Sequence, residues 1–176
     1  MVRENGFLGN PAIKLPFPEE AIQVERSLRK IGLGNLCDQL ITSINRAAED
    51  AVSEATPIFI EAVQGITFTD AKNILLGQDD AATQYLKQNT QALLVEKFKP
   101  IVENSLHKVS ATKYWEQLVV AYNKIPMVEK MNPNLSEYAT QKAIDGIFIV
   151  VAEEELQIRK NPAARVSAIL KKVFNR

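Results

Sequence analysis

Between Ala143 and Ala152 the chain carries Gly146-Ile147-Phe148-Ile149-Val150-Val151 with no polar side chain to interrupt it. Wound into a helix, such a run points apolar groups in every direction, so the segment requires protein on all sides. The helical reading comes from its flanks. Asn134 is a cap residue with Glu137 three positions on, and the pattern continues through Glu153, Glu154 and Glu155 to Arg159. The run is far too short to cross a bilayer. The chain is therefore expected to be all-α, a single-domain bundle of about seven to nine helices around a buried central helix near residues 135–160.

With 176 residues, 46% of them hydrophobic, one domain can bury a sizeable core. The 21 basic and 21 acidic residues cancel to a formal net charge of +0, so no overall basic field recruits nucleic acid or an anionic membrane. The lone Cys37, set between Leu36 and Leu40, reads as a small buried hydrophobe and cannot form an internal disulfide. Met1 to Gly6 has no apolar stretch of the signal-peptide kind, which fits either a cytoplasmic protein or a processed form of an exported one.

In chain order, Gly6 to Pro18 contains Gly9, Pro11, Pro16 and Pro18, which forbid a regular element and leave Phe7, Leu8, Ile13, Leu15 and Phe17 to be buried. Residues 1–17 are thus expected to form an extended proline-rich arm packed onto the helices of the single domain 1–176. Pro18, Glu19 and Glu20 suit a first helical turn, with Gly32 as the stop. Leu36, Leu40, Ile44, Ala47 and Ala51 trace one helix face, and Thr56-Pro57 suits the start of the next helix. Thr67 with Asp70 makes a capping box for a helix closed by Gly77. Asp79 is read as the cap of the following helix, Thr90 as a restart, and Pro100 as a kink or break. Ser110 opens a helix bearing Tyr114, Trp115 and Tyr122, whose aromatic residues read as core more readily than as a pocket floor. Residues 125–133 form a loop, and Pro162 starts a last helix with Val166, Ile169, Leu170 and Val173 on its apolar face. No segment alternates in the manner of a strand.

Few residues offer chemistry. His107 is the only histidine, and no nucleophile stands at a spacing or motif that assigns it a role. A bundle di-metal centre needs two Glu-x-x-His repeats and so two histidines. No metal or other cofactor is expected. Asp79 and Asp80 lack the alternating ligands of a calcium loop and suit a helix N-terminus. The polar candidates with most content are Glu154 and Glu155, because the stripe Ile144, Phe148, Val151 continues into them and turns one carboxylate inward. A buried carboxylate needs a partner. Arg46, Arg159 and Arg165 are the candidates, Arg46 and Arg165 being ranked first, in what reads chiefly as a structural ion pair.

The segments GFLGNPAIKLPFPEE, INRAAEDAV, ILLGQDDAATQYL, EKFKPIVENSLHKV, AIDGIFIVVAEEE and IRKNPAARVSAILKKVF, in this order over nearly the whole chain, closely resemble a bacterial family of uncharacterised proteins classed only as a domain of unknown function. The resemblance implies an all-helical single domain and brings no activity, cofactor or catalytic residue. It also implies export: family members carry a signal peptide and a further helix-forming segment ahead of the position of Gly6, so the chain is expected to be a shortened form of a periplasmic or envelope protein, with a cytoplasmic location as the alternative. Two functions follow as expectations. The first is a non-catalytic binding or interaction module of the cell envelope, whose partner is a protein or a small apolar ligand and not nucleic acid. The alternative is a hydrolase or other enzyme built on the inward Glu and His107.

Overall fold

A computed structural model describes residues 6–18, 21–127, 134–167 and 171. It is all-helical, with no strand among the described residues, and forms a single domain. Among the described residues seven α-helices with full ranges follow one another: α1 (Ile22–Lys30), α2 (Gly34–Val52), α3 (Ala55–Gln64), α4 (Phe68–Leu76), α5 (Ala81–Lys108), α6 (Ala111–Tyr122) and α7 (Leu135–Lys160), after which Pro162–Ala164 makes one 3-10 turn. Helices α2, α5 and α7 pack against one another at the centre. Helix α6 lies on α2, α1 on α2 and α6, and α3 and α4 on α5.

Local sequence accounts for several boundaries. The α1–α2 turn closes as a Schellman motif: Gly32 takes φ +87°, Leu33 N–H donates to Leu28 O (3.0 Å) and Gly32 N–H to Arg29 O (3.2 Å). Thr67 and Asp70 form the expected reciprocal capping box at the start of α4. Asn134 accepts from Glu137 N–H (3.1 Å) and so opens α7.

Helix α7 is the axle, with one qualification. Ala143, Ile144, Gly146, Ile147 and Phe148 are buried, but Val151 is only half-buried and Ile149 is 39% exposed. The helix is central through its N-terminal two thirds, and the apolar run then emerges at the surface, which corrects the expectation of full burial for Val151.

The arm, residues 6–18, has no regular element, yet Phe7, Ile13, Leu15 and Phe17 belong to the core. Phe17 meets Trp115 of α6 at 5.6 Å between ring centroids. Without a ladder, the arm's backbone is satisfied partly by its own turn, where Ile13 and Lys14 N–H donate to Asn10 O, and partly by side chains. Buried Asn45 of α2 accepts from Leu15 N–H (2.9 Å) and donates to Leu15 O (2.9 Å), Glu49 accepts from Phe7 N–H (3.1 Å), and Tyr138 of α7 donates to Pro16 O (2.9 Å). Gly146 makes room for the arm. A Cβ there would stand 2.6 Å from Phe7 Cε1, so the ring rests directly on the α7 backbone.

Three sequence expectations are corrected. Helix α5 runs unbroken for 28 residues through both Thr90 and Pro100. Pro100 and Glu96 are exposed, so the Glu96 carbonyl that loses its intrahelical donor faces water. Thr90 donates its hydroxyl to Leu86 O (2.7 Å) inside the helix and starts nothing. The third concerns Asp79, which does not cap α5: the N-cap position belongs to Asp80, and it too makes no side-chain cap bond. Glu19, Glu20, residues 128–133 of the expected loop, Ile169, Leu170 and Val173, cited above for helix or loop roles, lie outside the described residues.

Candidate functional site

The cap that α5 lacks locally arrives from the far end of the chain. Glu155 of α7 is buried, and its carboxylate accepts from Ala82 N–H (2.9 Å), Thr83 N–H (2.8 Å) and Thr83 Oγ1 (2.8 Å). These are donors that the first turn of a helix leaves open, and a carboxylate complements the positive end of the helix dipole. Arg159, one turn further along α7, donates from Nε (2.9 Å) and Nη2 (2.7 Å) to Glu155 Oε1. The same Nη2 reaches Ile74 O (2.7 Å), an open carbonyl in the last turn of α4. One ion pair thus closes the end of α4 and the start of α5 together. Lys160 adds an exposed pair with Asp79 in the turn between them (2.5 Å).

Burial alone would push the Glu155 carboxyl up. The N–H groups of Ala82 and Thr83, the Thr83 hydroxyl and Arg159 outweigh it and hold the carboxyl below the ordinary glutamate range. A carboxylate with both oxygens committed and its charge stabilised is poorly suited to proton transfer and well suited to holding helix ends.

This clamp supports one wall of a surface cleft. Thr83 and Asp80 at the start of α5, Ala12 to Pro16 of the arm, and α7 from Lys142 to Ala152 enclose about 520 Å³. Ile13, Leu15, Phe148, Ile149 and Ala152 supply apolar lining, and Lys14, Lys87, Lys142, Asp80 and Asp145 supply charge. The Lys87 ammonium stands 6.0 Å from the centre of the Phe148 ring. Asp80 accepts from Gln84 (2.9 Å) and Asp145 from Gln141 (3.0 Å), each within its own helix. Ile149, 39% exposed, is one of the residues that line this cleft.

The sequence candidates fall in different places. Glu155 is the inward carboxylate and Glu154 is exposed. Its mate is Arg159, not Arg46 or Arg165: Arg46 pairs with Glu49 (2.7 Å), while buried Arg165 donates to Ile158 O (2.9 Å) and Arg159 O (2.8 Å) at the end of α7. Reach explains the correction, since Arg159 lies four residues from Glu155 on the same helix face. Asp80 lines the cleft and Asp79 pairs with Lys160. His107 is exposed on the last turn of α5, its Nδ1 3.4 Å from Thr112 Oγ1. Thr83, which binds Glu155, is 24 residues earlier on that helix, about 36 Å away at 1.5 Å per residue. The Glu155 and His107 pairing of the enzyme reading is thereby lost. Buried Cys37 has its thiol pushed up by burial and is no nucleophile. No cluster of three metal-binding side chains occurs among the described residues. Lys87, Lys142 and Ile149 were missed by sequence reasoning, and nothing in their spacing singles them out.

Fold and cleft together define an all-helical single-domain protein with a lysine-rimmed apolar cleft beside its central helix. The chain belongs to the family described as Protein of unknown function (DUF4197), whose model matches residues 1–175. No curated protein and no solved structure matches it. No helix among the described residues is long and apolar enough to cross a membrane.

Proposed function

We propose that the protein is a non-catalytic binding module whose cleft beside α7 takes a small apolar ligand, and that it works in the bacterial cell envelope. The observation that carries the reading is Ile149. A branched apolar side chain in the middle of the central helix faces an open cleft of about 520 Å³ with Phe148 and Ala152 beside it, within the size range of small-molecule sites. The elements around it are fixed: the arm by Asn45, Glu49 and Tyr138, and the start of α5 by Glu155. A site on held elements loses little order on binding. The envelope location is supported by the family's resemblance to exported proteins.

Native mass spectrometry of the protein purified from its own host tests the reading. A retained non-covalent mass is expected, and it should disappear in Ile149→Asp, a change at an exposed position. Ligand-free protein, or a mass indifferent to Ile149→Asp, contradicts it. Fractionation of the host tests the location, which a wholly cytoplasmic pool contradicts.

A further inference from the structure

The outer faces of α3 and α4 turn apolar side chains to solvent. Phe68 and Leu76 of α4 are 87% and 68% exposed, Ile60 and Val63 of α3 are more than half exposed, and α4 buries no residue. Phe68 and Leu76 stand eight residues apart on one side of α4, about 12 Å along its axis. Val63 and Phe68 flank the turn between the two helices, where Ile66 N–H donates to Val63 O (3.2 Å). Single exposed apolar residues are ordinary, but four on two consecutive helices mark an interaction surface.

The charge beside this surface has one sign. From Glu54 to Gly77 the chain carries Glu54, Glu61 and Asp70 against Lys72 alone. Glu54 and Glu61 form no ion pair among the described residues. Asp70 accepts from Thr67, which holds its carboxyl below the ordinary range and so keeps it charged. Bases on neighbouring elements are matched already: Arg159 with Glu155, Lys160 with Asp79 and Lys97 with Glu96.

We propose that the outer face of α3 and α4 docks a basic amphipathic helix of a partner protein. The partner's apolar stripe covers Ile60, Val63, Phe68 and Leu76, and its lysines or arginines meet Glu54, Glu61 and Asp70. A helix suits the face because its apolar groups are themselves spaced along helix axes, as the anchors of a docked helix are. The same acidic charge repels nucleic acid and anionic lipid headgroups, so a protein segment is favoured over either. None of these residues lines the cleft, and the proposal does not rest on the cleft reading.

The test is fluorescence anisotropy of the full chain with two dye-labelled peptides of about 14 residues. Both carry leucine at helical spacing, one with lysine and the other with glutamate at every remaining position. Circular dichroism confirms that each protein variant is folded. The lysine peptide is expected to bind roughly tenfold more tightly than the glutamate peptide, and Phe68→Ala/Leu76→Ala should weaken it roughly tenfold. Glu54→Gln/Glu61→Gln should narrow the preference, and Lys72→Gln should tighten the lysine peptide. Equal affinity for the two peptides, or no binding of the lysine peptide, overturns the proposal. So does lysine-peptide binding that survives Phe68→Ala/Leu76→Ala and is lost in Ile149→Asp, which would place the peptide in the cleft. Without lysine-peptide binding, co-sedimentation with phosphatidylcholine vesicles that the double alanine variant abolishes gives the face to a membrane, and a dimer that this variant abolishes in sedimentation equilibrium gives it to a second copy of the chain. Either result also overturns the proposal.

Discussion

Two short segments, the arm and α4, invert the usual link between regular structure and firm attachment. The arm, residues 6–18, has no helix or strand, yet it buries Phe7, Ile13, Leu15 and Phe17 and ties its backbone to Asn45, Glu49 and Tyr138. Helix α4 is regular for nine residues with a complete capping box, yet none of those residues is buried and Phe68 is 87% exposed. Backbone hydrogen bonds inside a short helix are close to neutral against water, and an isolated helix of this length does not persist. The difference teaches that attachment in this fold follows buried apolar area and long-range polar anchors, not local regularity. Helix α4 is held by its packing on α5 and by Arg159 at its last turn.

The largest effect that would break this comparison belongs to Phe7, fully buried against Gly146. Phe7→Ala should destabilise the protein by about 3 to 5 kcal/mol in urea unfolding. A loss below about 1 kcal/mol would make the arm a tail.

Glu155→Gln should come next, at about 1 to 3 kcal/mol, because the amide offers one acceptor oxygen where the carboxylate offers two and leaves an α5 donor unpaired. Its pH dependence gives a second reading. The folded carboxyl is held below its unfolded value of about 4.3. The stabilisation is then fully present above that unfolded value and is lost as pH falls through the lower folded one, so wild type and variant should converge in stability as the medium is acidified. A gap that does not change with pH would show that the charge contributes nothing.

Gly146→Ala tests the arm from the opposite side. Alanine favours a helix interior by about 1 kcal/mol over glycine, but its Cβ would stand 2.6 Å from Phe7 Cε1 and force the ring outward. A net loss of about 1 to 2 kcal/mol is expected. A gain in thermal stability would mean that the ring moves aside without cost.

The smallest effect sharpens the other half of the comparison. Phe68→Ala, at the exposed start of α4, should change stability by less than about 0.5 kcal/mol, and an unfolding loss of core size would show that α4 is anchored through this ring.

The sequence disclosed what is local or periodic. The Thr67 and Asp70 box, the Gly32 stop, the Asn134 start of α7 and the burial of Ile147 and Phe148 all follow from spacings of a few residues. That one of Glu154 and Glu155 turns inward was legible from the stripe of α7. Its mate was misjudged because the first-ranked arginines lay farther away, although Arg159 stood at the i,i+4 spacing. Its other partners left no signal: the N–H groups of Ala82 and Thr83 are backbone, 73 and 72 residues distant, and any residue would supply them. The cleft was hidden for a related reason. Ile149 reads as one more apolar residue in a buried run until the arm, α5 and α7 are placed around it. Pro100 shows that a breaker signal yields where the unpaired carbonyl can face water.

Native-state hydrogen exchange compares the two segments directly. Leu15 N–H lies in the irregular arm but is buried and bonded to Asn45 at 2.9 Å, whereas the amides in the middle of α4, such as Asn73, sit in a regular helix with no buried residue. Attachment by burial and long-range anchors predicts that Leu15 N–H exchanges more slowly than Asn73 N–H, near the rate set by global unfolding. Slower exchange at Asn73 than at Leu15 would contradict it.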